Sequence, residues 1–285
     1  MRLLYVKLCK LSILVMITFL SSCSSTKLIY TLAGEFIEDE ISYFLKLEKE
    51  EEVFLKKKVS EIVAWHRKSM LPSYGIFLND MADKLEIGEN YEDDISYVLT
   101  NGKYLIEQTV TGLIPFVSEF LVRYNSLEAI SFMEKKMEIR QKERLEELEK
   151  PHKERYENRM KKLTLNFERF FGDLTNAQVS LINAHTSSTL GEAKTRFYNR
   201  TMRQKAFVKF LRTQPNKKEL IFFLNKLLIS GHLIVNPSYK EFSEISLYRF
   251  KTLLVNMLSI SSIVQRDIII KKLRDYADDF KTVSE

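Results

Sequence analysis

From Leu28 the apolar positions of this chain recur at 28, 32, 36, 37, 41, 44, 45 and 47, the three-to-four spacing of a helix with one buried face. A charged stretch opens at Leu47-Glu48, after which Val53, Leu55, Val59, Ile62, Val63 and Trp65 predict a second amphipathic helix. Pro72 ends that helix at or before Leu71, because the residue preceding a proline is pushed out of the helical region. The fixed φ of proline suits the first turn of a following helix, which carries Ile76, Phe77, Met81 and Leu85 and stops near Gly88. Residues 92–125 read as one or two helices with Pro115 as a kink or break. Ser126 starts a long charged segment. Residues 134–162 hold 11 Lys/Arg and 8 Glu around a narrow apolar stripe of Leu145, Leu148, Tyr156, Met160, Leu163 and Phe167. Opposite charges at helical spacing support a solvated surface. This stretch is therefore expected as a helical hairpin, bent or divided at Pro151, either packed along one edge or projecting as an arm toward a partner. Residues 220–235 are apolar but interrupted by Asn225, Lys226 and His232, too short for a membrane span and expected as a buried helix ending at Gly231. Asn236-Pro237-Ser238 then turns the chain into final helices at about 239–257 and 262–281.

Composition sharpens this to a fold class. With 8 Gly and 5 Pro in 285 residues, the chain lacks the turn residues an all-β fold needs every ~8–12 positions. The expectation is an all-α multi-helix bundle, with an N-terminal subdomain over 31–171 that includes the charged hairpin and a C-terminal one over 172–285. A faint echo between Leu47-x-x-x-Glu51 and Leu174-x-x-x-Gln178 is consistent with two similar helical subdomains.

The first residues follow a different logic. Arg2, Lys7 and Lys10 precede an uncharged apolar run over 11–20, and Leu20-Ser21-Ser22-Cys23 closes it. The layout is that of a secretion leader, shorter than a membrane-spanning helix. The four closing residues resemble a bacterial lipobox, which implies removal of residues 1–22, a diacylglycerol on the Cys23 thiol and acylation, palmitate included, at its new amine. Residues 23–30 would then form a lipidated tether. Losing Arg2, Lys7 and Lys10 lowers the formal net charge from +6 to about +3. Cys9 leaves with the leader and Cys23 is modified, so no disulfide is expected and the fold rests on packing. Two or more acyl chains hold a protein at a bilayer far better than one. The expected location is the cell envelope. In a Gram-negative host Ser24, in place of the aspartate of inner-membrane retention, points to the outer membrane facing the periplasm.

Candidate chemistry is sparse. His66, His152, His185 and His232 show no metal-ligand spacing, and Glu149-x-x-His152 is a single element where di-iron bundles need two. No phosphate-binding loop, dinucleotide fingerprint or nucleophile elbow occurs. Glu50-Glu51-Glu52 and Asp93-Asp94 read as complements to the positive ends of helices. Basic residues interleave with acids, and export argues against nucleic acid as a partner. No cofactor and no metal are expected, and no catalytic residue is assigned. The segment Trp65-His66-Arg67 is accounted for locally: cationic side chains suit the last turns of a helix, and Trp65 falls three residues after Ile62 on the core face. Adjacent helical positions point about 100° apart, so His66 and Arg67 are not expected to share a target.

A lipobox, a segment Ile41-Ser42-Tyr43-Phe44-Leu45-Lys46-Leu47, then Trp65-His66-Arg67 with Leu71-Pro72-Ser73-Tyr74, and later Gly172-Asp173-Leu174-Thr175-x-x-Gln178 stand in this order. Together they resemble the landmarks of a family of uncharacterised bacterial all-helical lipoproteins, a domain of unknown function. Glu51 departs from the Gln more usual there. The resemblance implies an all-helical lipoprotein without an assigned reaction. It singles out Trp65, His66, Arg67 and Tyr74 as candidate binding residues, with Leu174, Thr175 and Gln178 as a structural motif. The expected function is a non-enzymatic, periplasm-facing binding or envelope-assembly protein, held at the membrane by lipid on Cys23 and meeting an envelope protein partner. Leu174-Thr175-x-x-Gln178 is also similar to a motif of small helical periplasmic chaperones, which makes binding of unfolded clients the alternative. An envelope-modifying enzyme using His66 and Arg67 is a third reading.

Overall fold

Capping side chains set several helix starts. Asn90 accepts from the backbone N–H of Glu92 and Asp93 (3.1 and 3.3 Å), and Ser126 from that of Ala129 (3.1 Å), each satisfying donors that a helix start leaves free. Asn216 and Glu219 form a reciprocal capping box, in which the Asn216 N–H donates to Glu219 (2.9 Å) and the Glu219 N–H to Asn216 (3.1 Å). The computed structural model describes residues 25–88 and 90–285, and the ordered elements among them are all helical. They are α1 (Ser25–Phe44), α2 (Lys49–Ser69), α3 (Leu71–Ile87), α4 (Tyr91–Arg123), α5 (Leu127–Glu149) and α6 (His152–Phe171). After these come α7 (Asn176–Thr189), α8 (Glu192–Leu211), α9 (Lys217–Ile229), α10 (His232–Val235), α11 (Tyr239–Ser259) and α12 (Ile263–Ser284). The acidic groups Glu50, Glu51 and Glu52, and Glu92, Asp93 and Asp94, occupy the first turns of α2 and α4, where the helix dipole favours negative charge.

Several expectations change in detail. Residues 25–30, expected as tether, are the start of α1. The stretch expected over 92–125 is one helix, Tyr91–Arg123, with Pro115 inside it rather than breaking it. Pro151 divides the charged segment cleanly, standing as the N-cap of α6. That hairpin packs along an edge. Arg140 of α5 stacks over Tyr43 of α1 (4.4 Å) and pairs with Glu40 (3.1 Å), and Gln141 donates to Gln204 of α8 (2.9 Å). Leu148 and Phe167 of its apolar stripe are buried, whereas Leu145 is exposed. The leader, Cys9, Cys23 and Ser24 lie outside the described residues.

Two hydrophobic cores hold the bundle together. The first joins Leu55 and Val59 of α2, Ile114 of α4, Ile130 of α5, Leu211 of α8 and Leu220 of α9. The second joins Ala82 of α3, Ile95 of α4, Phe167 of α6, Ile182 of α7, Met257 of α11 and Leu273 of α12. Each core draws on both sides of residue 171, so the expected subdomain boundary runs through both cores rather than between them. α4 spans both and packs against α2, α3, α9 and α11. Among the described residues it is also the one helix long and apolar enough to cross a membrane. α3 lies closely along α12, and Gly75 allows this approach: a Cβ there would stand 3.3 Å from the Ala277 carbonyl oxygen.

Candidate functional site

The Trp65-His66-Arg67 stretch closes α2, and Met70 serves as both its C-cap and the N-cap of α3, with Pro72 in the first turn. The benzo edge of the Trp65 indole meets α4 where Gly112 offers no side chain. A Cβ at Gly112 would overlap the ring outright. Phe116, one turn on, meets the same ring at 6.1 Å. His66 turns toward α1, and the Tyr30 hydroxyl lies 2.9 Å from His66 Nδ1 and donates to the Val63 carbonyl at 3.2 Å. The Arg67 guanidinium sits 5.5 Å from the centre of the same Tyr30 ring. The expectation that His66 and Arg67 do not share a target is therefore corrected: the 100° between them is bridged because α1 lays a broad aromatic ring across both. Tyr74 packs 5.6 Å from His66 and 6.1 Å from Phe280, and its hydroxyl bonds Thr109. Burial pushes the His66 imidazole below its ordinary pKa and the Tyr30 phenol above its own, the latter partly offset by Arg67. These residues thus form an aromatic junction of α1, α2, α3, α4 and α12.

Leu174, Thr175 and Gln178 form a second junction. Thr175 Oγ1 accepts from the Gln178 N–H (3.3 Å), and Gln178 Oε1 from the Thr175 N–H (3.0 Å). A matching box stands at the start of α12, where Ser262 Oγ accepts from the Gln265 N–H (3.1 Å) and Gln265 Oε1 from the Ser262 N–H (3.2 Å). The two glutamines then donate to each other, Gln178 Nε2 to Gln265 Oε1 at 3.0 Å and Gln265 Nε2 to Gln178 Oε1 at 2.9 Å. Gln178 is fully buried and Leu174 packs on the second core. The Leu47-x-x-x-Glu51 echo has the same local basis, since the Glu48 N–H donates to Glu51 (2.8 Å) at the start of α2.

Away from both junctions, a groove of about 770 Å³ lies over α4, between α9 and α11. Val98, Leu99, Ile106 and Val110 of α4 form its floor, with Leu228 of α9 and Leu247 of α11 as walls. Ile106, Leu228 and Leu247 are exposed. Arg196 and Ser246 also line it. A neighbouring apolar cavity of about 310 Å³ reaches into the second core between Leu163, Phe167 and Phe170 of α6 and Leu254 and Leu258 of α11. Val98 and Phe250 line both spaces.

Beside the groove lies a polar cluster. The Glu192 carboxylate, 7% exposed, accepts from Arg196 Nη2 (2.8 Å), Arg249 Nη1 (2.8 Å) and Ser246 Oγ (2.6 Å), and Arg196 also bonds Ser246. Burial raises the Glu192 pKa, yet these three donors outweigh it and hold the carboxyl below its ordinary value. Arg159 of α6 donates to Thr189 Oγ1 (2.7 Å), while its buried Nε has no acceptor among the described residues. His185 is pushed below its ordinary pKa by burial and by Arg159, and its ring meets Phe250 at 6.3 Å. Among the described residues, no three His, Cys, Asp or Glu side chains are grouped to hold a metal ion.

A family model for a family of unknown function, DUF6279, matches residues 43–239. The chain belongs to this family. No curated protein and no solved structure matches the chain. In this DUF6279 chain the matched span contains Trp65, His66, Arg67, Tyr74, Thr175 and Gln178. It also contains the α4 floor of the groove and Arg196. Tyr30, Ser246, Phe250 and the Ser262–Gln265 box lie beyond it. One signal for the missed box was present, since Ser262-x-x-Gln265 repeats the spacing of Thr175-x-x-Gln178 before an apolar run. The groove had no comparable signal, because its lining comes from separate helices.

Proposed function

We propose that this DUF6279 member is a membrane-anchored, non-enzymatic binding protein of the cell envelope, and that the groove over α4 is its binding surface. The observation that carries this is the open apolar groove, whose volume falls within the roughly 300–1,000 Å³ of ligand sites. The charged hairpin, the other candidate surface, is docked on α1 and α8 through Arg140 and Gln141. The anchor and the periplasmic location rest on the lipobox-like residues around Cys23. Thr175 and Gln178 serve the capping box, which leaves the chaperone reading without its motif. The His66 ring packs among the rings of Tyr30, Trp65 and Tyr74 and its Nδ1 is engaged with the Tyr30 hydroxyl, which favours a packing or binding role over catalysis.

The test is photocrosslinking from the full-length chain in living cells, with the reactive group placed at Ile106 or Leu247 in the groove, or at Arg144 on the hairpin. Adducts are expected from the groove positions and none from Arg144. Adducts from Arg144 alone, or from no position, would overturn this reading.

A further inference from the structure

The groove and the inner cavity are separated by Val98 and Phe250, which line both. Phe250 is 36% exposed, not locked in the core, and a change of its rotamer is the movement a chain passing from the groove into the inner cavity would require. A branched or flat ligand would fill the open groove. A long flexible chain is what can also follow the groove past Phe250.

The polar end of the groove supplies the second half of the argument. Arg196 and Ser246 line it, and Arg196, Arg249 and Arg159 are all within electrostatic reach of the single carboxylate of Glu192. Of the three, Arg196 lines the groove, and it shares the Glu192 carboxylate with Arg249, so this pair keeps one positive charge beside the groove. On the groove's rim Lys103 pairs with Glu107 (3.7 Å) and adds no net charge. An apolar groove that ends at unbalanced positive charge is complementary to a molecule with one hydrocarbon chain and one anionic head.

From this complementarity we infer that the groove takes a single-chain anionic amphiphile, its head at Arg196 and Ser246 and its chain over α4 toward Phe250. A free fatty acid and a lysophospholipid both present this chemistry. The inference rests on the reading of the groove as a binding surface and names what fills it.

The test uses the full chain in phosphatidylcholine vesicles with three photoreactive probes of equal chain length: a fatty acid, a lysophosphatidylglycerol and the uncharged fatty alcohol. Labelled peptides are mapped by mass spectrometry. Labelling by at least one anionic probe is expected on α4 between residues 98 and 110 and on α11 around Phe250. The alcohol should label about tenfold less, the difference one charge-assisted hydrogen bond makes. Arg196→Gln should bring the anionic probes down to the alcohol's level, while Glu192 keeps Arg249 and Ser246. Gly102→Phe should abolish labelling by filling the floor. A Cβ at Gly102 makes only ordinary contact with Phe77 (3.6 Å), and an unchanged melting temperature would verify that the fold persists. Labelling by the fatty acid alone assigns the carboxylate source, and labelling by the lysophospholipid assigns the phosphate source. Equal labelling by the alcohol, labelling elsewhere, or indifference to both variants overturns the inference. Protein adducts at Ile106 or Leu247 in cells with no probe labelling would overturn it while leaving the binding-surface reading intact.

Discussion

Gly112→Ala tests the junction at Trp65 most directly. A methyl group at this position falls inside the indole, so the ring must swing away from α4 and loosen its contact with Phe116. Overpacking of this kind costs about 1–3 kcal/mol, and displacement of a whole ring belongs in the upper half of that range. Against it, alanine favours the helix over glycine by about 1 kcal/mol. The expected net loss is therefore about 1–2 kcal/mol in the natural chain. In a Trp65→Ala background the collision is gone and only the helix preference remains, so the same change should stabilise by about 1 kcal/mol. The sign reversal corresponds to a coupling energy of about 2–3 kcal/mol, large for residues in contact but within the observed range. Urea unfolding followed by circular dichroism on the four proteins closes the cycle. Because Trp65 is the one tryptophan in the chain, its emission should also shift to the red in Gly112→Ala as the ring moves toward water. Equal destabilisation in both backgrounds, or unchanged emission, would refute the packing argument.

The paired capping boxes predict that Gln178→Ala and Gln265→Ala each cost about 2–4 kcal/mol, combining a lost cap with a buried amide left unpaired. The double variant should cost less than their sum, and strict additivity in chemical denaturation would count against the reciprocal pairing. Glu192→Ala leaves Arg196 and Arg249 without their shared acceptor. Both arginines are about half exposed, so the loss should be about 2–3 kcal/mol, below that of a fully buried pair, and no change in the unfolding midpoint would contradict the geometry. Burial holds His66 and His185 below their ordinary pKa, so the unfolded chain binds more protons as pH falls through about 6.5. Stability from both is full above that value and is lost as pH falls toward 5. The drop between pH 7.5 and 5.5 should shrink in a His66→Gln/His185→Gln variant, and a drop of unchanged size would remove the two histidines from the account.

Local signals were the readable part of this fold. Pro72, Pro151, Ser126 and the apolar spacing of α2 and α9 mark helix ends and faces through chemistry that acts over a few residues. Trp65, His66 and Tyr74 were visible as unusual, but their partners Tyr30, Gly112 and Thr109 stand 35 to 47 positions away or less conspicuously in other helices, and periodicity carries no information about which faces meet. The same limit applies to the subdomain boundary. Gly172 opens a clear new segment, yet Phe167 before it and Ile182 after it belong to one core. Leu99, Gly102 and Ile106 would pass in sequence for one more stripe of a core-facing helix. Only the separation of α9 from α11 leaves that stripe open to solvent.

The way each core recruits distant helices also sets when the protein can become stable. The first core waits for Leu211 and Leu220, and the second for Met257 and Leu273. Arg274 of α12 pairs with Asp83 of α3 across 191 positions of chain. At synthesis rates of roughly 5–20 residues per second, α3 stands without that partner for about 10–40 s. Through most of that interval the first core lacks its α8 and α9 residues, and throughout it the second lacks α12. A chain emerging N-terminus first would therefore keep α3 and its neighbours open to chaperones until the last helix arrives, and a version truncated before α12 would be cleared rather than accumulate as a stable half.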